Sequence, residues 1–352
     1  MFLFYFLITF FLSLLLTKAV LWLMKKINVV DIPYGERKIH KKKIPLGGGL
    51  AIMISFFIVS FWLYSQDILG VDVSYRNFLG LFLGSLVLIV GGFLDDKYNL
   101  KAKIQIFFPV FAVLIVILFG VGPHVITNPF GGVFDLSIFK VSFGSLGDWV
   151  VLADIVVFFW LMIMMYTTKL LDGLDGLVAG LVFIGAIMIF SFSTYTVWVQ
   201  PEISLISLVF AGACLGFLFW NFYPAKVFLG EGGSLFLGFV LGSLAIISGS
   251  KIATTLLVVG MPMLDMVRVI IRRIQNKKSV FLGDREHLHF QLLESGFSQK
   301  QAVLLFYAIA ILFGLTALFL QSSQKLVALA LLFILMLLLG LRFTNKSKKY
   351  GS

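Results

Sequence analysis

Charge is what this chain has least of. Only 13% of its 352 residues are Asp, Glu, Lys or Arg, 60% are apolar, and the mean hydropathy is +1.04. Soluble domains rarely exceed about half apolar residues, so a water-soluble fold is excluded and an all-α integral membrane protein is expected. No polar stretch is long enough to make a soluble domain. Cysteine is almost missing: Cys214 stands alone inside an apolar run, which rules out an intramolecular disulfide and leaves the redox compartment open.

Long apolar runs are what the chain has in plenty. A bilayer core needs about 20 predominantly apolar residues per helix, and about eleven windows qualify: 2–24, 46–65, 78–94, 104–121, 149–166, 176–192, 203–220, 234–249, 252–270, 301–320 and 324–342. The first is too long, and too poor in small residues at its end, for a cleaved signal peptide. Residues 1–342 then form a single polytopic membrane domain, and 343–352 a basic cytoplasmic tail. Basic residues prefer the cytoplasmic side. With the N-terminus outside and the C-terminus inside, 23 of the 28 Lys and Arg face the cytoplasm and four (Arg76, Lys140, Lys251, Lys325) lie outside. The net charge of +11 therefore belongs to one face, beside anionic lipid or an anionic substrate. No nucleic-acid partner is expected, and a homodimer is compatible with the spans.

The acids fall on that same face, which orientation does not require, since Asp and Glu contribute little to it. Asp95 and Asp96 follow an apolar run in "GFLDDKYNL". Two adjacent carboxylates repel by about 4 kcal/mol at the effective dielectric of a protein surface, so a site that collects several implies a compensating cation. Mg2+ fits, with Mn2+ as the alternative. It is a hard ion, usually held by one or two carboxylates plus substrate phosphates, and the surrounding Lys and Arg would meet the phosphate oxygens.

Four more inner segments carry matching chemistry. "KLLDGLDGLVAG" sets Asp172 and Asp175 three apart, on one face if the segment is helical. "NFYPAKVFLGEGGSLFLG" sets Glu231 among glycines before a span, as at an anion-receiving helix N-terminus. "FLGDREHLHF" brings Arg285, His287 and His289 into a long basic loop, and "RKIHKKKIPLGGG" adds His40 and the Lys41–Lys43 run. Each has a plainer reading: a solvated turn for the acidic pair, a helix cap for DGLDGL, a loop acid for Glu231, a solvated loop for the histidines and a topology anchor for the lysines. Their concentration on one face of an apolar chain favours the chemical reading.

A transporter would place ionisable groups near the membrane midplane. Here the midplane is nearly clean: Lys18 and Asp265 lie within predicted spans, Asp154 lies in the outer part of the fifth, and no internal repeat stands out. A CDP-alcohol phosphatidyltransferase would continue its Asp-Gly motif into DG-x-x-AR, which DGLDGL does not. Chemistry at the inner membrane surface remains the better fit.

Five stretches, "RKIHKKKIPLGGG", "GFLDDKYNL", "DGLDGL", "NFYPAKVFLGEGGSLFLG" and "DREHLHFQLLESGFSQKQAVLLFY", together resemble the polyprenyl-phosphate N-acetylhexosamine-1-phosphate transferases (glycosyltransferase 4 type), in their WecA-like branch. The resemblance runs from about Asp31 to Ser298 and implies transfer of a sugar-1-phosphate from a UDP-N-acetylhexosamine to a polyprenyl phosphate, with Mg2+ and release of UMP. It implies Asp95 and Asp96 as the acids that receive the lipid phosphate, and Glu231, with Asp96, as metal ligand. Asp172 and Asp175 would lie in the nucleotide region, Phe228 against uracil, Asn221 near the phosphates, and His287 and His289 in the histidine loop. It also implies a small extracytoplasmic β-hairpin in "FGGVFDLSIFKVSFGSLG" (130–147) and residence in a bacterial cytoplasmic membrane. The chain departs from the family pattern at Tyr166 and Lys169, where an asparagine pair is usual, at Glu231, where aspartate is usual, and at Phe290, where a second consecutive histidine is usual. Lys169 could neutralise a phosphate; the alternatives are a weak or inactive family member or a membrane transporter.

Overall fold

The structure is a computed structural model that describes residues 1–33, 40, 42–123, 125–128, 132–137, 140–142, 148–195, 199–249, 252–277 and 286–350. In lipid every backbone polar group must be satisfied within its own segment, so apolar windows become helices. The described helices are α1 (Phe2–Lys26), α2 (Gly48–Ser65), α3 (Tyr75–Tyr98), α4 (Ala102–Gln105), α5 (Phe107–Leu118), α6 (Val151–Leu171) and α7 (Leu177–Tyr195). They continue with α8 (Pro201–Asn221), α9 (Glu231–Ile247), α10 (Ile252–Gln275), α11 (Leu288–Glu294), α12 (Gln299–Phe319) and α13 (Ser322–Tyr350). Each of the expected windows falls on these helices, with 104–121 shared between α4 and α5. Eight are long and apolar enough to cross a membrane, and Ala102–Leu118, Glu231–Ile247 and Ser323–Leu339 are shorter apolar helices. This is a multi-pass, all-helical membrane protein.

Several local expectations change. The DGLDGL segment is not one helical face, because α6 ends at Leu171, α7 begins at Leu177 and residues 172–176 form turns. Its glycines explain the break: Gly176 takes φ +82, in the left-handed region that side-chain-bearing residues avoid. The expected hairpin within 130–147 is replaced by two antiparallel ribbons. β3 (Val125–Thr127) pairs with β4 (Val133–Asp135), and β5 (Lys140–Ser142) with β6 (Asp148–Val150). Alternation in a sequence marks strands but not their partners, and here each strand inside the segment pairs with one outside it. α13 carries the chain as helix through the expected tail to Tyr350.

What positions the site is the packing of α9. Its residues from Gly232 to Ile246 are buried, and it packs against α2, α3, α6 and α7. Apolar helices gain little from burial against one another in lipid, so close packing through small residues holds them together. Around the start of α9 this becomes backbone contact: a Cβ on Gly92 of α3 would strike the Gly232 backbone, and one on Gly49 of α2 would strike Gly233. A short antiparallel pair, β1 (Val30–Asp31) with β2 (Ile44–Pro45), folds the α1–α2 connection onto the same end. Backbone bonds from Gly48 N to Phe228 O (2.8 Å) and from Phe228 N to Pro45 O (2.9 Å) lock it there.

Candidate active site

The acidic pair divides at the end of α3. Asp95 is buried, and its Oδ1 accepts from Leu100 N at 2.8 Å and from Gln105 Nε2 at 3.0 Å, so it braces the turn that leads into α4. Asn99, with φ +55, makes that turn. Asp96 points the other way, to the N-terminus of α9, where its Oδ1 accepts from Glu231 N at 3.1 Å. First-turn N–H groups of a helix lack partners within the helix and favour an anion. Gly230, at φ +75, has no Cβ to block this approach; one built there would strike Asp96 Oδ2.

Glu231, in the first turn of α9, is the second acid of the site. Its Oε2 lies 2.7 Å from Lys169 Nζ on the last turn of α6, and otherwise that oxygen has no hydrogen-bond partner among the described residues. Lys169 also donates to Gln105 Oε1 at 3.1 Å. Asp172 follows one turn later. Burial among protein atoms, then the charges of Glu231, Asp96 and Asp175, push its carboxyl up to about 8. The side chain still keeps an exposed face, and the like charges of Glu231, Asp96 and Asp175 crowd it there. A bound cation would reach that face and reverse the shift.

Other expected site residues make contacts within the chain itself. Asp175 Oδ2 accepts from Ala225 N at 2.9 Å, and burial raises its pKa. Asn221 is buried and fully engaged: its Oδ1 accepts from Gly176 N (3.1 Å) and its Nδ2 donates to Val227 O (2.9 Å), strapping the DGLDGL turns to the 222–229 loop. Phe228 is half-buried and meets His40 edge to face at 5.4 Å, while His40 Nε2 lies 3.5 Å from Asp31 Oδ2. Arg285 lies outside the described residues.

The histidine loop is anchored by a residue that sequence reasoning noted but left unassigned. Asp265 of α10, 2% exposed, accepts from Arg268 Nη2 (2.8 Å) and from Leu288 N (3.0 Å). It also lies 2.9 Å from His287 Nδ1, and since a carboxylate only accepts, the ring donates there. The available signal was a lone acid inside a predicted span, which marks function or a buried partner by default. His287 stacks on His289 at 5.7 Å. His289 is fully buried, neither ring nitrogen has a hydrogen-bond partner among the described residues, and burial holds its pKa down to about 3, so the ring is neutral. Its Nε2 faces Gly173, where a Cβ would come within 2.6 Å. Gln105 is the other residue missed, and nothing in its sequence context singled it out.

Asp96, Glu231, Asp172 and Lys169 thus come from α3, α9 and the end of α6 to one end of the bundle. A groove of about 320 Å3, lined by Leu23, Met24 and Leu50 and by Ile89 and Phe93, ends at Asp96 of this group. The donors are hard oxygens, as Mg2+ requires. Among the described residues no three acidic or histidine side chains converge to hold an ion by themselves. The set therefore fits an ion held by one or two carboxylates and completed by phosphates.

An apolar groove that ends at a carboxylate, with further acids and a lysine beside it, suits an amphiphilic phosphate. Comparison with known proteins agrees. Residues 78–249 match the model of glycosyl transferase family 4. A Bacillus subtilis (strain 168) protein described as a probable undecaprenyl-phosphate N-acetylglucosaminyl 1-phosphate transferase is 33% identical over 92% of this chain and 86% of its own length. The decaprenyl-phosphate N-acetylglucosaminephosphotransferase of Mycobacterium tuberculosis (strain ATCC 25618 / H37Rv) is 31% identical over 83% and 75%. The phospho-N-acetylmuramoyl-pentapeptide-transferase of Borreliella burgdorferi (strain ZS7) is 33% identical over 88% and 92%. The chain belongs to glycosyl transferase family 4.

Proposed function

We propose that this chain transfers N-acetylhexosamine-1-phosphate, in the first instance GlcNAc-1-phosphate, from a UDP-sugar to a polyprenyl phosphate and releases UMP. The site lies on the cytoplasmic face of a bacterial inner membrane, with the N-terminus outside. The observation that carries this reading is the meeting of Asp96, Glu231, Asp172 and Lys169 beside an apolar groove that ends at Asp96. A lipid phosphate cannot leave the bilayer surface, so the acids that receive it must sit where a span ends. A phosphate oxygen of the acceptor forms a bond to the sugar-bearing phosphorus of the donor; the bond from that phosphorus to the UMP oxygen breaks, and UMP leaves with the electron pair. Such transfer rests on positioning and charge neutralisation.

Asp96 and Glu231, with Asp172 beside them, would hold Mg2+, which supplies neutralisation of the phosphates when bound. Asp96 is the acid at the groove, fixed there by Glu231 N–H. Lys169 adds a positive charge on the donor side. Phe228 offers a ring face to the uracil, and neutral His289 contributes hydrogen bonding rather than charge. Asp95, Asp175 and Asn221 hold the loops in register. Purified protein given polyprenyl phosphate, UDP-GlcNAc and Mg2+ should release UMP, and EDTA should stop it. No release from any of a panel of UDP-N-acetylhexosamines would overturn the reading, and the panel decides the sugar.

A further inference from the structure

The carboxylates of this site already have a cation, and it is covalently part of the chain. Lys169 Nζ sits 2.7 Å from Glu231 Oε2, and its side chain is only 19% exposed. The contact is a close ion pair, and a separate N–H of the same ammonium donates to Gln105 Oε1 at 3.1 Å. Gln105 in turn holds Asp95. The ammonium therefore links α6, α9 and the α3–α4 turn, in a place where an unpaired charge would be costly. It also stands on the carboxylate that a divalent ion would need, and two cations cannot share that oxygen without strong repulsion.

We propose that Lys169 is the resident counter-ion of the free protein and a ligand of the donor's diphosphate in the loaded one. The lysine stem is long and flexible, and its head is a compact point charge with three donors. A nucleoside diphosphate carries more negative charge than one glutamate, so it draws the ammonium off Glu231. The freed carboxylate then takes the divalent ion. Nucleotide and ion consequently bind with positive coupling, each strengthening the other by the same factor. This rests on the reading of the cluster as the seat of a diphosphate and a divalent ion.

The test is Mn2+ binding to the detergent-purified protein, followed by the EPR signal of free Mn2+, with and without UDP. In the wild type UDP should tighten Mn2+ binding at least tenfold. Lys169→Met should bind Mn2+ at least tenfold tighter than wild type in the absence of UDP, bind UDP more weakly, and lose most of the coupling. Lys169→Arg keeps a tethered cation and should keep the wild-type pattern. Lys169→Gln carries the same comparison should the Met variant fail to fold. A Met or Gln variant that binds Mn2+ no tighter than wild type without UDP overturns the inference and leaves the proposed function standing. A wild type that takes no Mn2+ even with UDP overturns the metal reading and this inference together.

Discussion

Glu202 and Glu231 both lie in the first turn of a helix of the same bundle, and the chain uses them in opposite ways. Glu202, on α8, accepts from four successive backbone N–H groups, those of Gly70, Val71, Asp72 and Val73, at 2.9–3.1 Å. These belong to the loop at the far end of α2 and α3, about 27 Å along α2 from the candidate active site. Glu231 has one flexible lysine on its carboxylate, and its own N–H is given to Asp96. A carboxylate saturated by fixed backbone is structure. One left to an exchangeable partner, with 37% of its side chain exposed, is available for chemistry. The same contrast separates Asp95 from Asp96 within two adjacent residues.

Four measurements sharpen or break that contrast. The largest effect is expected away from the substrates: Asp265→Ala leaves Arg268 and His287 without their buried partner, and breaking such a pair costs about 3–5 kcal/mol. Thermal unfolding in detergent should fall sharply; an unchanged midpoint would remove Asp265 as the anchor of the histidine loop. Next, Asp96→Asn should leave folding intact while UMP release drops by about 2–4 kcal/mol of transition-state stabilisation, the scale of losing a key electrostatic group. A rate within a few-fold of wild type would merge Asp96 with the structural acids. Glu202→Ala should do the reverse, costing about 0.5–1.5 kcal/mol, because these amides are exposed or partly buried and water takes the place of the carboxylate. Amide exchange at residues 70–73 should speed up, with UMP release unchanged. If release collapses instead, the two glutamates are not different in kind.

The smallest effect is a pH slope. Asp172 has its folded-state pKa raised to about 8, above the unfolded carboxylate value of about 3.9. Between these values the folded protein binds more protons than the unfolded one, so Asp172 makes stability fall as pH rises through that window. Asp172→Asn should flatten the loss between mildly acidic and mildly alkaline buffer, read by thermal unfolding without divalent ions. An identical slope in the variant would show that Asp172 is not held among like charges.

Much of this was legible before any coordinates. Apolar windows of sufficient length had to become helices, and every expected window lies on helix, because lipid offers the backbone no other partner. Asp96, Glu231 and Asp172 stand out in the sequence because acids at the ends of apolar runs are chemically out of place, and the structure brings them together. What was not legible is who holds whom. Asp96 meets the N–H of a residue 135 positions away, and Lys169 donates to a glutamine 64 positions away. Asn221 reads as a phosphate neighbour by motif, yet both ends of its amide are spent on backbone. The two ribbons at 125–150 replaced a single hairpin because strand pairing is a property of partners rather than of segments.

The chain's composition and motif order alone determined that it crosses a membrane many times and gathers acids among basic residues at the ends of its apolar spans, since hydropathy and charge act locally and in proportion to residue counts. Only the tertiary structure decided which of those acids is braced and which is open, and that Lys169 pairs with Glu231. Those outcomes depend on glycine-to-glycine contact of α9 with α2 and α3: the glycines are visible in the order of residues, but which glycine meets which is set only by the packing.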